Sequence, residues 1–320
     1  NLIGANSNEI YFTAGGTESD NWAIKATAEA YETKGKHIIT SKIEHHAVLH
    51  TCEYLESREF EVTYLDVDEN GIVKLEELKR AIRPDTILIS IMFANNEIGT
   101  IQPIEELSTM IHDAGALFHT DAVQAVGHIP VNVQKLRIDL LSASAHKFNG
   151  PKGIGFLYIR NGTPIIPYVN GGSQEFSIRA GTENVAAIVG MATALRNNCM
   201  QQTKAIKHLK CLENELTKAL AVAGIDFIRN GTDNRIPGNL SLSFKGISGE
   251  MLLHRLDLKG ICVSTGSACD GQNKQVSHVL KAIKVPTEYA HGTIRISLGK
   301  ENTLDEVEKI VEVLAGIICN

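Results

Sequence analysis

No apolar run in this 320-residue chain is long enough to cross a membrane; the apolar stretches are short, as at Ile87-Leu88-Ile89 and Ile317-Ile318. The sequence has no CxxC pair. Its six cysteines, Cys52, Cys199, Cys211, Cys262, Cys269 and Cys319, are scattered. That spacing fits neither a disulfide framework nor a zinc site and points to a reducing compartment. An excess of basic charge is also missing. Thirty-one Lys and Arg face thirty-seven Asp and Glu, for a net charge of -6, which argues against a nucleic-acid surface. There is no internal repeat and no low-complexity tract. The opening residues Asn1-Leu2-Ile3-Gly4 carry no initiator Met and no signal peptide, and we expect the native protein to begin earlier than this chain. What remains is ordinary: 43% hydrophobic and 21% charged residues describe a globular chain rather than a disordered, collagenous or coiled-coil one. The length suits one large or two medium domains.

The first two-thirds alternates short β-rich runs with amphipathic helical runs. Strands are predicted at Ile10–Thr13, His37–Ser41, Glu61–Leu65, Thr86–Ile91, Leu117–Thr120, Leu140–Ala143 and Gly155–Ile159. Helices are predicted at Glu18–Thr33, His46–Glu56, Leu75–Ala81 and Ile104–Asp113. This order predicts βαβ units on a mostly parallel sheet. Runs such as Ile38-Ile39 are apolar on successive residues, as strands covered on both faces require. A long helical pattern follows over 184–223, with a break expected near Asn197-Asn198. Strands then recur at Asp226–Ile228, Asn239–Ser243, Cys262–Ser264 and Ile294–Ser297, and helices at Gly249–Asp257, Val276–Ala282 and Leu304–Ile318. The expected organisation is a large domain over 1–203 and a smaller α+β domain over 204–320.

Three strand-end segments carry chemistry. Gly15-Gly16-Thr17-Glu18-Ser19-Asp20-Asn21 follows a strand and opens a helix. Glycine lets backbone approach a ligand closely, and a helix N-terminus favours an anion such as phosphate. Alone, this is also the pattern of an ordinary strand–turn–helix junction. His119-Thr120-Asp121-Ala122-Val123-Gln124 sits at the carboxyl end of another strand, the edge where open α/β sheets bind ligands. Alone, Asp121 could be a helix cap. Lys147 lies among small and apolar residues before Asn149-Gly150-Pro151-Lys152-Gly153. A desolvated lysine can act as a nucleophilic amine, although a surface lysine is the commoner case. Together the three match what pyridoxal phosphate needs: a phosphate cup, a carboxylate for its ring nitrogen and a lysine for its aldehyde.

At this point the sequence resembles the cysteine desulfurases of the NifS/IscS type, within the class V, fold-type I aminotransferase superfamily. The matching stretches are Phe12 to Asn21, Glu44-His45, Asn95-Asn96-Glu97-Ile98-Gly99, His119 to Gln124, Ser144-Ala145-His146-Lys147 with Gly150 to Gly155, Arg179-Ala180-Gly181-Thr182, Gly266-Ser267-Ala268-Cys269 and Ile294 to Gly299. The resemblance implies a pyridoxal 5'-phosphate (PLP) enzyme with a mostly parallel seven-stranded sheet flanked by helices. By position, Lys147 matches the lysine that bonds the cofactor, Asp121 the acid facing the pyridine nitrogen and Gln124 the residue near the phenolic oxygen. His45 matches the ring-stacking histidine, and Gly16, Thr17, Ser144 and His146 the phosphate cup. Asn96 matches a residue beside the cofactor and, with Arg295, the pair holding the substrate carboxylate. Thr182 matches the threonine that reaches the phosphate of a second copy's cofactor, which implies a homodimer. No metal is expected.

Cys269 decides the implied reaction. It stands in the small, polar stretch Ser264 to Gln275, which reads as a loop, and a thiolate there is the nucleophile. L-cysteine would lose its sulfur to Cys269 as a persulfide and leave as L-alanine, with Lys147 moving the α-proton. The persulfide would pass to an acceptor such as an iron–sulfur scaffold or a tRNA-thiolation enzyme in the cytoplasm. Two departures from the family pattern stand out. An N-terminal stretch with an Asn-Ala-Thr-Thr-like motif is absent. The residues after Cys269 are Asp270-Gly271-Gln272-Asn273-Lys274-Gln275 rather than the usual Thr-Ser-Gly-Ser. A carboxylate beside a thiol raises its pKa, so altered rate or partner choice is expected. Two other readings stay open: a selenocysteine lyase or aminotransferase sharing the cofactor site, and a catalytically impaired sulfur-transfer scaffold.

Overall fold

The computed structural model describes residues 1–266 and 276–319. They form two compact units. The first comprises Asn1–Val67, Val73–Ala94 and Gln102–Gln202; the second comprises Asp68–Ile72, Asn95–Ile101 and the described residues of Thr203–Asn320.

In the first unit seven strands, β1 (Ile10–Thr13), β2 (His37–Ser41), β3 (Glu61–Leu65), β4 (Thr86–Ser90), β5 (Leu117–Asp121), β6 (Leu140–Ser144) and β7 (Gly155–Ile159), make one sheet in the order β1-β7-β6-β5-β4-β2-β3. Neighbours from β6 to β3 pair in parallel, and β7 alone runs the other way, antiparallel to both β1 and β6. The carboxyl ends of β1, β2, β5 and β6 therefore point to the same edge. Every residue of β2, β4, β6 and β7 is buried. Full burial explains why, His37 apart, these strands are built of apolar and hydroxyl residues, since neither face meets water.

Helices α1 (Gly16–Ala30), α2 (His46–Glu56), α3 (Leu75–Ala81) and α4 (Ile104–Asp113) connect the strands. Trp22, Ile24, Ala26 and Ala28 of α1 pack with Val48, Cys52 and Leu55 of α2 against Ile38, Leu88, Leu140 and Leu157 of the sheet. Two buried histidines tie strands together through their rings. His37 of β2 bonds Thr86 Oγ1 (2.7 Å) and Thr63 Oγ1 (2.8 Å), and His119 of β5 bonds Ser90 Oγ (2.8 Å) and Ser142 Oγ (3.0 Å).

In the second unit β8 (Phe227–Arg229), β9 (Asn239–Phe244) and β10 (Thr293–Ser297) form an antiparallel sheet in the order β10-β9-β8. Helix α6 (Gly249–Asp257) is capped by Ser248, α7 (His278–Ala282) by Ser277, and α9 (Leu304–Ile318) by a Thr303/Glu306 capping box. Leu240, Leu242, Ile294 and Ile296 of the sheet, Leu252 and Leu256 of α6, and Ile310 and Leu314 of α9 form its core.

Several boundaries differ from the sequence reading. Helix α1 begins at Gly16 and ends at Ala30 rather than running from Glu18 to Thr33. The long helix α5 (Val185–Val222) is continuous for 38 residues, with no break at Asn197-Asn198. Its Asn198 side chain donates to the Phe148 carbonyl, so the amide has a partner without interrupting the helix. Cys262–Ser264 is not a strand: only Ser264 forms an isolated bridge, with Arg295. A short helix α8 (Thr287–Ala290) and three 3-10 turns went unforeseen.

Candidate active site

The chemistry-bearing residues of the first unit converge on the carboxyl edge of its sheet. At the end of β1 the chain turns through Gly15 and Gly16 into α1. A Cβ on Gly16 would meet Val123 Cγ2 at 2.6 Å, so any side chain there would force Val123 to shift where α1 starts against the loop after β5. Thr17 is exposed at this N-terminus. Beyond β6, Ala145–Phe148 forms a single 3-10 turn that carries His146 and Lys147, and Asn149 then takes a left-handed conformation (φ 64°). Ser144 Oγ bonds His146 Nδ1 at 2.9 Å and would lie 3.5 Å from a Cβ on Gly15. Burial and the neighbouring Lys147 and Lys152 ammonium groups keep His146 below the usual imidazole pKa. Helix N-terminus, hydroxyls and a cationic rim together suit a phosphate.

Asp121 ends β5 and is 5% exposed. Its Oδ1 accepts from Val123 N at 2.9 Å, which fixes the carboxylate. Burial raises its pKa against the pull of His45, the Val123 N–H and Lys147. His45, half-buried, caps α2 by accepting from Ala47 N at 3.1 Å. Gln124 is half-buried in the turn that follows Asp121. Lys147 has an exposed side chain, and its carbonyl accepts from His128 Nε2 at 2.7 Å.

Sequence reasoning missed two residues of this cluster. Asp20 on α1 is 1% exposed, and one side-chain atom each of Asp20, His45 and Asp121 lies within 4.8 Å of the others. Glu44 is fully buried; its Oε1 accepts from Ser41 Oγ at 2.6 Å, and both its oxygens take Met92 N at 3.0 Å. Burial pushes Glu44 up to about 8. The signal was present, since both residues stand inside matched stretches, Asp20 four residues after Gly16 and Glu44 beside His45. Being polar, they gave no reason to expect a place beneath the site.

Asn96 and Arg295 lie in the second unit. Arg295, on β10, donates from Nη1 to the Asn96 carbonyl at 2.9 Å, and Asn239 Nδ2 reaches the same oxygen at 3.3 Å. The segment carrying Asn96 is held by Asn95 N to Thr100 O (2.9 Å), Ile101 N to Asn234 O (3.1 Å) and Ile236 N to Gly99 O (2.9 Å). Thr182 stands on an exposed stretch before α5. Cys269 lies outside the described residues. Of the other cysteines only Cys52 is buried, its thiol pushed well above the usual range by burial; Cys199 is half-buried, and Cys211, Cys262 and Cys319 are exposed.

The first unit fits PLP on its own chemistry. A buried carboxylate, a lysine near enough to lower that carboxylate's pKa, an imidazole beside it and a phosphate-type helix N-terminus occupy one sheet edge. The orphaned Asp20 Oδ1 adds an unsatisfied polar atom within the same cluster.

The family description Aminotransferase class-V matches residues 1–310. The chain is 56% identical over 323 aligned residues to cysteine desulfurase IscS of Dictyoglomus turgidum, covering 98% of this chain and 82% of that protein. It is 53% identical to cysteine desulfurase IscS of Methanosarcina thermophila, covering 99% and 78%. Among solved structures, a NifS-like protein superposes with a TM-score of 0.93 at 43% identity, covering 99% of this chain and 84% of the other. A structure of SspA in complex with cysteine gives a TM-score of 0.81 at 36% identity, covering 94% and 84%. With the sheet order, the residues gathered at one sheet edge and these relatives in agreement, the chain belongs to the class-V aminotransferase family and has the type I fold of its PLP enzymes.

Proposed function

We propose that this chain is a PLP-dependent cysteine desulfurase that takes sulfur from L-cysteine and releases L-alanine. The observation that carries the reading is the meeting of Gly16, His45, Asp121 and Lys147 at one sheet edge. The cysteine desulfurase relatives support it.

PLP, when bound, supplies an electron sink for the substrate's α-carbon. Lys147 would hold the cofactor's aldehyde through its amine, and the same amine would serve as the base that moves the substrate's α-proton. Asp121, fixed by the Val123 N–H, offers its charge to the ring nitrogen. His45 would pack against the cofactor's ring, and Gln124 would serve its phenolic oxygen. Gly16, Thr17, Ser144 and His146 hold the phosphate, to which Thr182 of a second copy contributes in a homodimer. Arg295 and Asn96 hold the substrate carboxylate, a task for which a planar guanidinium is suited. The Cys269 thiolate attacks the substrate sulfur. The Cβ–S bond breaks with its electron pair kept on carbon, an S–S bond forms at Cys269, and protonation of carbon gives alanine. The persulfide then passes to an acceptor protein, an iron–sulfur scaffold or a tRNA-thiolation enzyme, in the reducing cytoplasm.

The test is to incubate the PLP-loaded protein with L-cysteine, quantify alanine and sulfide, and map any trapped persulfide by peptide analysis. Equal alanine and sulfur with the persulfide on Cys269 is the expected result. Cys269→Ala should keep the cofactor absorption band and lose sulfide release. Undiminished release by that variant would assign the sulfur role elsewhere and favour a selenocysteine lyase or aminotransferase. A wild-type protein that takes up no cofactor would leave only a scaffold role.

A further inference from the structure

Beneath the proposed cofactor site the first unit buries three carboxyl groups, Asp20, Glu44 and Asp121. No lysine or arginine side chain is among the buried residues of that unit. The groups facing Asp20 come from every packed element: Asp121 and His119 from β5, Ser142 from β6, Glu44 from the β2–α2 turn, and His45 from the N-cap of α2. Cys52 of α2 lies near Glu44. His119 brings no compensating charge. Its ring is spent on Ser90 and Ser142, its Nε2 is 3.7 Å from Asp20 Oδ1, and burial drives it down to about 3. Asp20 Oδ1 itself has no hydrogen-bond partner.

A buried carboxylate needs a cation or several hydrogen bonds to stay charged. Asp121 has the Val123 N–H, with His45 and Lys147 near. Asp20 has the Ser142 hydroxyl alone. Two carboxyls this close and this buried do not both ionise, and the better-served one keeps the charge. We propose that Asp20 is a positioning residue that stays a neutral carboxylic acid, so that the Asp20–Asp121 pair presents one negative charge, seated on Asp121, to the cofactor's ring nitrogen. Burial, Asp121 and Glu44 all raise the Asp20 pKa, against a smaller opposing effect of Ser142. Asp20 thereby acts through Asp121, limiting the charge beneath the ring.

The inference rests on the proposed function, because it assumes that Asp121 serves PLP; wild-type PLP uptake tests that assumption separately. The full chain and Asp20→Asn, a neutral near-isostere, are compared in two measurements. PLP titration near neutral pH should give dissociation constants within about threefold of each other, and a loss of about tenfold or more in Asp20→Asn would show that an anion is needed and overturn the proposal. Thermal midpoints of both PLP-free chains are then taken at about pH 5.5 and 8.5. A neutral Asp20 in the folded chain releases its proton on unfolding, so wild-type stability falls as pH rises from the ordinary aspartate range through the raised folded pKa. Asp20→Asn has no such loss and should gain at least about 2 °C on wild type between the two pH values. Parallel midpoints would mean that Asp20 ionises in the folded chain as it does in the unfolded one, and would also overturn the proposal.

Discussion

Gly155→Ala tests how tightly the phosphate end of the site is built. Gly155 opens β7, paired with Thr13 of β1 on one side and Ser144 of β6 on the other. A Cβ there would stand 2.4 Å from the Ala143 carbonyl oxygen and 2.8 Å from Gly15 Cα. Ordinary carbon contact needs about 3.5 Å, so Gly15 must move by roughly 0.7 Å. Both obstacles are backbone, and no side chain can swing away. The cost belongs at the upper end of overpacking, about 3 kcal/mol. In a chain of this size that lowers the thermal midpoint by roughly 6–12 °C. Because Gly15 leads into α1, the displacement also tilts the N-terminus assigned to the phosphate, and PLP retention should fall with it. Gly153→Ala is the control. It has φ +75° and nothing within 4 Å, so it adds only left-handed strain of about 1–2 kcal/mol and should leave PLP bound. Scanning fluorimetry and the cofactor absorption band measure both effects. A Gly155→Ala protein melting within about 1 °C of wild type with its cofactor intact would refute the packing argument.

Glu44→Gln should flatten the pH dependence of stability. Glu44 holds its proton to about pH 8 when folded, whereas an unfolded glutamate releases it near 4.3, so wild-type stability drains as pH rises across that window. The loss is up to about 4 kcal/mol, read by denaturant unfolding near pH 5 and pH 8, and parallel wild-type and variant curves would contradict it. Arg295→Lys keeps the charge but not the fork. It should raise the KM for L-cysteine about tenfold with a smaller change in kcat, and an unchanged KM would remove Arg295 from carboxylate binding.

The parallel sheet was legible because its strands are apolar on consecutive residues, as at Ile38-Ile39 and Ile87-Leu88-Ile89. Glycine punctuation located the turn into α1, although the helix starts at Gly16 itself and not at Glu18. Local signals failed where a distant partner decided the outcome. Asn197-Asn198 reads as a breaker until the Phe148 carbonyl, fifty residues away, accepts from Asn198. Cys262–Ser264 has strand composition, yet only Ser264 finds a neighbour, exchanging hydrogen bonds with Arg295 at 3.1 and 2.6 Å. Asp20 and Glu44 are carboxyl residues, one on a helix and one in a turn. Nothing in their spacing reveals burial, which comes from the groups packed around them: Asp121, His119 and Ser142 against Asp20, and Ser41 and Met92 against Glu44.

The two cross-strand imidazoles have a consequence for how the sheet finds its alignment. Parallel strands have no tight hairpin to set their offset. His37 touches hydroxyls on both β3 and β4, and His119 touches hydroxyls on both β4 and β6. Between them the two rings gauge five adjacent strands. Sliding any one by a single residue, about 3.3 Å, would carry its hydroxyl out of reach of a ring nitrogen and strand a polar group in an apolar slab. Misaligned assemblies are thereby penalised, and the strands that carry Asp121 and lead to Lys147 are held in register.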